Sequence, residues 1–101
     1  MTALESNIQK KIIKYIVGIP GCFCYKASDK YICGIPDIIC CIYGRFIAFE
    51  VKRPGTLGSN THRKLQGYVR AKIKASGGYA YEVCSLDEVK GIIDGLIPLL
   101  V

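Results

Sequence analysis

Hydrophobic residues recur at helical spacing in two segments of the chain. In the first segment they are Leu4, Ile8, Ile12, Tyr15 and Ile16. This spacing predicts a helix with one apolar face, and Gly18 and Pro20 are typical of its end. The same pattern predicts a helix from about Arg63 to Ser76. Capping-box sequences at 2–5 and 85–88 predict the starts of the first and last helices.

Between these segments the apolar residues alternate or run continuously, which is typical of strands. Strands are predicted at 22–25, 37–43, 46–52 and 79–84. The second and third are separated by a turn at Gly44-Arg45, so we expect them to form a hairpin. The order of elements predicts an α/β fold, a small mixed β-sheet flanked by helices. The passage from the third strand through a helix to the fourth is expected to be a right-handed crossover.

Length and charge narrow the class of protein. The chain has 101 residues, which predicts a single domain over 1–101. It carries 14 basic and 8 acidic residues, for a net charge of +6, and nucleic acid is the commonest polyanion that such a balance serves. The apolar segment 91–101 is interrupted by Asp94 and Pro98, so it predicts core or a subunit interface and no membrane span.

The six cysteines do not follow the spacing of a zinc site or a disulfide framework. No C-x-x-C pair occurs, and the single histidine, His62, is far along the chain from most of the cysteines. We therefore expect reduced, buried thiols in an intracellular protein.

Three charged residues stand where the apolar strands of the predicted hairpin meet loops. Asp37 opens one strand, and Glu50 lies near the end of the next, two residues before Lys52. The hairpin brings those strand ends together, and alternation directs Glu50 and Lys52 to one face. Two carboxylates buried together are costly unless a cation compensates, and Mg²⁺ is typically bound by one or two carboxylates plus phosphate oxygens.

Such a centre is suited to phosphodiester hydrolysis. A divalent ion acidifies a water molecule, orients it and neutralises the charge that develops on the phosphate. Lys52 is expected to hold the water, deprotonate it or stabilise the pentacovalent state, and the sequence leaves these roles open.

The residues around this centre resemble a known family. Gly34-Ile35-Pro36-Asp37, followed after twelve residues by Glu50-Val51-Lys52, is similar to the G-x-P-D and E-x-K signature of the VRR-Nuc family. That family belongs to the PD-(D/E)xK superfamily, which has a restriction-endonuclease-like core. The family's first-helix acid and its later helical glutamine match Glu5 and Gln66.

The resemblance implies an endonuclease that depends on Mg²⁺, with Mn²⁺ as a substitute. Asp37 and Glu50 would bind the metal through their side chains, with the Val51 carbonyl as a further ligand and Glu5 reaching the metal directly or through water. Lys52 and Gln66 would complete the catalytic set. Short members look viral or bacterial and resemble Holliday-junction resolvases. This implies a homodimer that acts on DNA, with branched DNA as one candidate substrate, in the cytoplasm of a bacterial cell or of a phage host.

Several of these residues have simpler interpretations. Glu5 also fits the last position of a capping box, Gln66 fits a solvated helix position, and His62 fits a surface loop. Among the basic residues, those bordering the expected centre are the candidate DNA contacts: Arg53, Lys64 and Arg70.

Three functions remain open from the sequence. The first is a DNA endonuclease, the second a catalytically silent basic DNA-binding module, and the third a nuclease acting on RNA. Carboxylates facing phosphate argue against a pure binder. The tyrosines are scattered along the chain, which predicts no surface for stacking unpaired bases and gives no feature specific for RNA.

Overall fold

A computed structural model describes residues 3–29, 31–53 and 60–100 of the chain. Its elements are α1 (Ala3–Val17), β1 (Cys22–Lys26), β2 (Ile38–Ile42), β3 (Arg45–Val51), α2 (Asn60–Ala75), β4 (Tyr79–Val83) and α3 (Leu86–Leu100). This order confirms the predicted α/β class. The first capping box includes Thr2, which lies outside the described residues. In the second box the Ser85 hydroxyl oxygen accepts the N–H of Glu88 at 3.2 Å, as an N-cap does.

The four strands form one mixed sheet in the order β1-β2-β3-β4. The β1–β2 and β2–β3 pairs are antiparallel, whereas β3 and β4 are parallel. Parallel neighbours need a crossover connection, and α2 supplies it. The expected right hand of that crossover stays a prediction.

The main core lies on the sheet face that packs against α1 and α3. Its fully buried side chains include Ile12 and Ile16 from α1, Phe49 from the centre of the sheet, and Val89 and Ile93 from α3. The opposite face of the sheet is covered by α2 on the β4 side. The sheet is therefore sandwiched by helices on only part of its area.

The turn of the β2–β3 hairpin lies one residue earlier than predicted. Ile42 pairs with Arg45, which leaves Tyr43 and Gly44 as the two turn residues, with φ values of 48° and 81°. Positive φ at both positions is the requirement of a type I′ turn. The Tyr43 ring packs on the backbone of Gly21, and the backbone N–H of Tyr43 donates to the Gly21 carbonyl at 3.1 Å. These contacts hold a tyrosine in a conformation that side chains rarely adopt.

The start of one helix also differs from the prediction. α2 begins at Asn60 instead of near Arg63, so His62 is helical and does not lie in a surface loop; residues 54–59 lie outside the described residues. α3 continues through Pro98 to Leu100. Because Pro98 lies in the last turn, its missing N–H removes little from the helix. In the ranges that the structure describes, no helix has the length and apolar character needed to span a membrane.

All six cysteines are free thiols. Cys24 and Cys40 are buried neighbours on β1 and β2, as predicted. The expectation of burial is wrong for Cys33 and Cys41, which are exposed. Cys41 is exposed because none of the described helices covers its part of the sheet.

Candidate active site

The β2–β3 register brings Asp37 next to Glu50. Ile38 pairs with Phe49, so Asp37, just before Ile38, comes opposite Glu50 on the same face of the sheet. One carboxylate oxygen of Asp37 accepts the backbone N–H of Val51 at 2.7 Å. Asp37 is half-buried, whereas Glu50 is only 2% exposed. The expected meeting of the two strand ends is therefore found.

Gln66 joins this pair to Lys52. Its side-chain carbonyl accepts a hydrogen bond from Lys52 Nζ at 2.8 Å, and its amide nitrogen donates to Glu50 Oε1. Lys52 Nζ itself lies 3.8 Å from Glu50 Oε1. Gln66 is 3% exposed, so it is not the solvated helix residue that was the simpler interpretation. One face of α2 thus closes over the two residues of the E-x-K motif.

His62 belongs to the same cluster, which the sequence analysis did not predict. It lies one turn before Gln66 on α2, and its Nε2 is 2.9 Å from the Gln66 amide nitrogen. A neutral ring protonated at Nδ1 would accept the second amide proton of Gln66 at this nitrogen. The i, i+4 spacing of His62 and Gln66 is the signal in the sequence, but it applies only once the helix is known to start at Asn60.

Burial and like charge disfavour ionisation of the two carboxyl groups. Burial, together with the Asp37 carboxylate, raises the pKa of Glu50 to about 8, against the opposing effects of Lys52 and Arg70. Burial also raises the pKa of Asp37 above its ordinary value, and the hydrogen bond from Val51 and the charge of Lys52 oppose that rise. A cation bound between these groups would remove the repulsion and favour their charged forms.

The donor set fits a hard divalent ion. Glu50 Oε2 is buried and has no hydrogen-bond partner within the described ranges, and a buried carboxylate oxygen in that state is costly unless a ligand satisfies it. Within the same ranges, no three or more His, Cys, Asp and Glu side chains group as a metal site. Two carboxylates with a backbone carbonyl, water and phosphate oxygens match Mg²⁺ better than a closed zinc site.

Glu5 lies in the first turn of α1 and acts electrostatically on Asp37. Its charge contributes to the raised pKa of Asp37, so it lies within electrostatic range of that carboxylate. It does not complete a three-carboxylate group in the described residues, which favours a role through water over direct ligation. The capping interpretation of Glu5 involves Thr2, outside the described residues.

The predicted DNA contacts differ in their surroundings. Arg53 and Lys64 are exposed. Arg70 is half-buried, and its guanidinium lies 3.6 Å from a carboxylate oxygen of Glu82. It also lowers the pKa of Glu50, so its charge interacts with acidic side chains of the protein itself. Lys26, at the end of β1, also lowers the pKa of Asp37. The sequence analysis did not single out Lys26 because it lies far from the motif along the chain.

The glycine of the G-x-P-D motif allows α2 to approach. Gly34 has a φ of +84°, and a Cβ atom there would come within 2.7 Å of the backbone carbonyl group of Leu65. The turn before Asp37 therefore contacts the α2 backbone directly at Leu65 and Gln66. Gln66, which reaches Glu50, therefore lies at the point of closest approach between this turn and α2.

A mixed four-stranded sheet flanked by helices is compatible with the restriction-endonuclease-like fold. The chain is similar to a solved structure described as a VRR_NUC domain, with a TM-score of 0.71 and 21% sequence identity over 92% of this chain and 97% of that one. The chain therefore has the fold of a VRR_NUC domain, and the resemblance drawn from its motifs is confirmed at the level of the fold. No family model matches the sequence, and no curated protein does so either.

Proposed function

We propose that the protein is a metal-dependent endonuclease that hydrolyses phosphodiester bonds in DNA. The observation that carries this proposal is the buried network of Glu50, Gln66 and Lys52 beside Asp37. In a protein without a bound cation, burying an unsatisfied carboxylate beside a second one destabilises the fold, and nothing compensates that loss. At a nuclease centre, both are the ligands of the ion on which hydrolysis depends.

Each residue has a definite task in this proposal. Asp37 and Glu50 hold Mg²⁺ or Mn²⁺, with the Val51 carbonyl as a further ligand. When bound, the ion lowers the pKa of a water molecule and neutralises charge on the phosphate. Lys52 directs its ammonium group at that water or at the phosphate oxygens, and Gln66 fixes the lysine's position through the 2.8 Å hydrogen bond. Glu5 orients water near Asp37.

DNA is the proposed substrate because the chain is strongly basic, at +6, and cations release counterions when they meet phosphates. Arg53 and Lys64, which are exposed and close to Lys52 and Gln66 along the chain, are the proposed phosphate contacts. A homodimer through the apolar helix α3, where Leu99 is 75% exposed, would present two centres to a branched duplex. Light scattering at twice the chain mass is the expected result.

The test is cleavage of supercoiled plasmid, a four-way junction and RNA in Mg²⁺, Mn²⁺ or EDTA. Lys52→Ala and Asp37→Asn should lower the cleavage rate by at least about 100-fold, the scale for loss of one group that stabilises developing charge. The matched controls are Lys74→Ala and Asp94→Asn, which remove exposed charges of the same type and should cleave normally. Cleavage that survives both site substitutions would exclude this centre as the catalyst.

The same experiment tests the two other functions. Cleavage of RNA in preference to DNA would make the protein a ribonuclease that uses the same residues. Salt-dependent DNA binding without cleavage in either metal would make it a binding module.

A further inference from the structure

The sheet face that carries Glu50 is only half covered by α2. Alternation places Phe46, Ala48 and Glu50 of β3 on this face, together with Phe23 and Tyr25 of β1 through the pairing with β2. Ala48 is fully buried, and its neighbour on β4, Ala80, is 2% exposed. The β1 side of the same face is open to solvent.

Three aromatic rings occupy this open half, and we call them the aromatic surface. Phe23 is 62% exposed, Tyr25 50% and Phe46 45%. The Phe23 and Tyr25 ring centroids are 6.1 Å apart, and Cys41 of β2 lies between Phe23 and Phe46 in the register. The sequence analysis did not predict exposed rings at this place, because it considered the tyrosines alone and the register brings in two phenylalanines.

The aromatic surface is continuous with the candidate active site. Glu50 is four residues from Phe46 along β3, or about 13 Å at the usual rise of a strand. A groove lined by Tyr25, Phe46 and Ile39 adjoins a second one lined by His62 and Gly34, and both share the segment Ala27, Ser28, Asp29 and Ile35. His62 is in turn in contact with Gln66. A path over the surface thus leads from the exposed rings to the catalytic cluster.

The strand residues of the open half are apolar or aromatic, namely Phe23, Tyr25, Ile39, Cys41 and Phe46, which favours bases over phosphates at the rings. Lys26 and Arg45, the exposed neighbours of Tyr25 and Phe46 in the chain, point to the opposite face by alternation. Asp29 lies in the middle of the path, where its carboxylate accepts the N–H groups of Tyr31 and Ile32 at 2.7 and 3.0 Å. A second copy of the chain would bring the same +6 charge and so gains no charge complementarity here.

We propose that the aromatic surface binds unpaired bases of a nucleic acid whose strand follows the groove to the catalytic cluster. This inference rests on the proposed nuclease function and makes its substrate a nucleic acid with a single-stranded segment beside the scissile bond. Exposed rings on a sheet stack bases of any sequence because every base has a π face, and four-stranded sheets in RNA-binding domains use rings in this way.

The test is fluorescence anisotropy in EDTA, where no cleavage occurs. The probes are an oligothymidylate and an oligouridylate of about 12 nucleotides, within the range of site sizes for single-strand-binding domains, and a blunt duplex of the same length. Phe23→Ala with Phe46→Ala should weaken single-strand binding about tenfold or more, the scale of losing stacked bases, and duplex binding by less than about threefold. Val17→Ala, a comparably exposed apolar residue on α1, is the control and should bind like wild type.

Conservative changes separate stacking from simple apolar contact. Phe23→Tyr should retain single-strand binding, whereas Phe23→Leu should lose most of what Phe23→Ala loses. Equal losses for single strand and duplex, or no loss, would overturn the inference. So would a fall from dimer to monomer mass in the double variant with single-strand affinity unchanged, because the rings would then be covered by a second copy. The two single-stranded probes show whether DNA or RNA supplies the bases.

Because the probes are bound in EDTA, the inference and the proposed activity fail separately. Lys52→Ala should keep the preference for single strands while losing cleavage. If the wild-type protein never cleaves but the aromatic variant selectively loses single-strand binding, the aromatic surface is supported as a binding site and the nuclease proposal is rejected.

Discussion

The side-chain amide of Gln66 lies between two opposite charges, accepting from Lys52 Nζ at 2.8 Å and donating to Glu50 Oε1. An amide is suited to this position because it has a donor and an acceptor at opposite corners of one rigid group. A direct ion pair would draw the lysine onto the glutamate, whereas the amide keeps Lys52 Nζ 3.8 Å away from it.

Replacing this amide should disorder the centre more than it unfolds the protein. Gln66→Met retains the volume but removes both hydrogen bonds, and loss of a group that orients a metal ligand typically costs about 10–100-fold in activity or metal affinity. The check is cleavage as a function of Mg²⁺ concentration, together with Mn²⁺ binding measured by calorimetry. Wild-type metal affinity and rate in Gln66→Met would show that the amide only fills space.

Gln9 provides the opposite case among buried glutamines. It is 1% exposed, and neither atom of its amide has a hydrogen-bond partner in the described part of the chain. An unsatisfied buried polar group costs about 1–3 kcal/mol. Gln9→Met should therefore raise the free energy of unfolding by roughly 1 kcal/mol, whereas Gln66→Met should lower it. Urea unfolding of both variants checks this, and destabilisation by Gln9→Met would show that water satisfies the amide in solution.

The apolar pattern was sufficient for the strands because β2 and β3 are buried across the centre of the sheet. It was insufficient at Tyr43, since a tyrosine with positive φ is not typical of a hairpin turn and is held there by contact with Gly21. The start of α2 was misplaced because Ser59, Asn60 and Thr61 are also typical of loops.

The positions of Asp37, Glu50 and Lys52 were predictable because these residues lie on or directly beside strands whose pairing follows from a short turn. His62 and Lys26 were not, since their place depends on where α2 begins and on how β1 pairs. The aromatic surface depends on both the β1–β2 and the β2–β3 register, and no local sequence pattern specifies both.

The raised pKa of Glu50 makes the stability of the metal-free protein depend on pH. Its value in the folded state is about 8, against an ordinary 4.5, so the folded protein keeps a proton that the unfolded chain has already lost. Stability should then fall as pH rises from about 5 to about 8, and Tm should decrease over the same range.

Glu50→Gln is the control, because it removes the titration and should flatten most of this slope; Asp37 contributes the remainder. Mg²⁺ binds the deprotonated carboxylates and should stabilise the protein more at pH 8 than at pH 5.5. Thermal melts in EDTA and in Mg²⁺ at four or five pH values measure both effects. If the plots of Tm against pH in EDTA are parallel for the wild type and Glu50→Gln, Glu50 has its ordinary pKa in the folded protein.

Gly34 and Gly44 allow a backbone conformation to be separated from a close contact. Their φ values are nearly equal, at +84° and +81°, but a Cβ at Gly34 would meet the Leu65 backbone at 2.7 Å and Gln66 N at 3.0 Å, whereas a Cβ at Gly44 would meet nothing within 4 Å. Alanine at either position should cost about 1 kcal/mol or more for its conformation. Only Gly34→Ala should also push α2 away from the sheet.

The consequence is specific to catalysis, because Gln66 lies at that contact. A displacement of 1 Å at a catalytic group costs on the order of 100-fold in rate, so Gly34→Ala should lose nuclease activity under conditions where it is still folded. Gly44→Ala, destabilised by a similar conformational cost, should cleave at nearly the wild-type rate. Circular dichroism and urea unfolding establish the folded fraction, and plasmid cleavage at 25 °C gives the rate. Equal rates for the two folded variants would mean that the approach of α2 to Gly34 does not position Gln66.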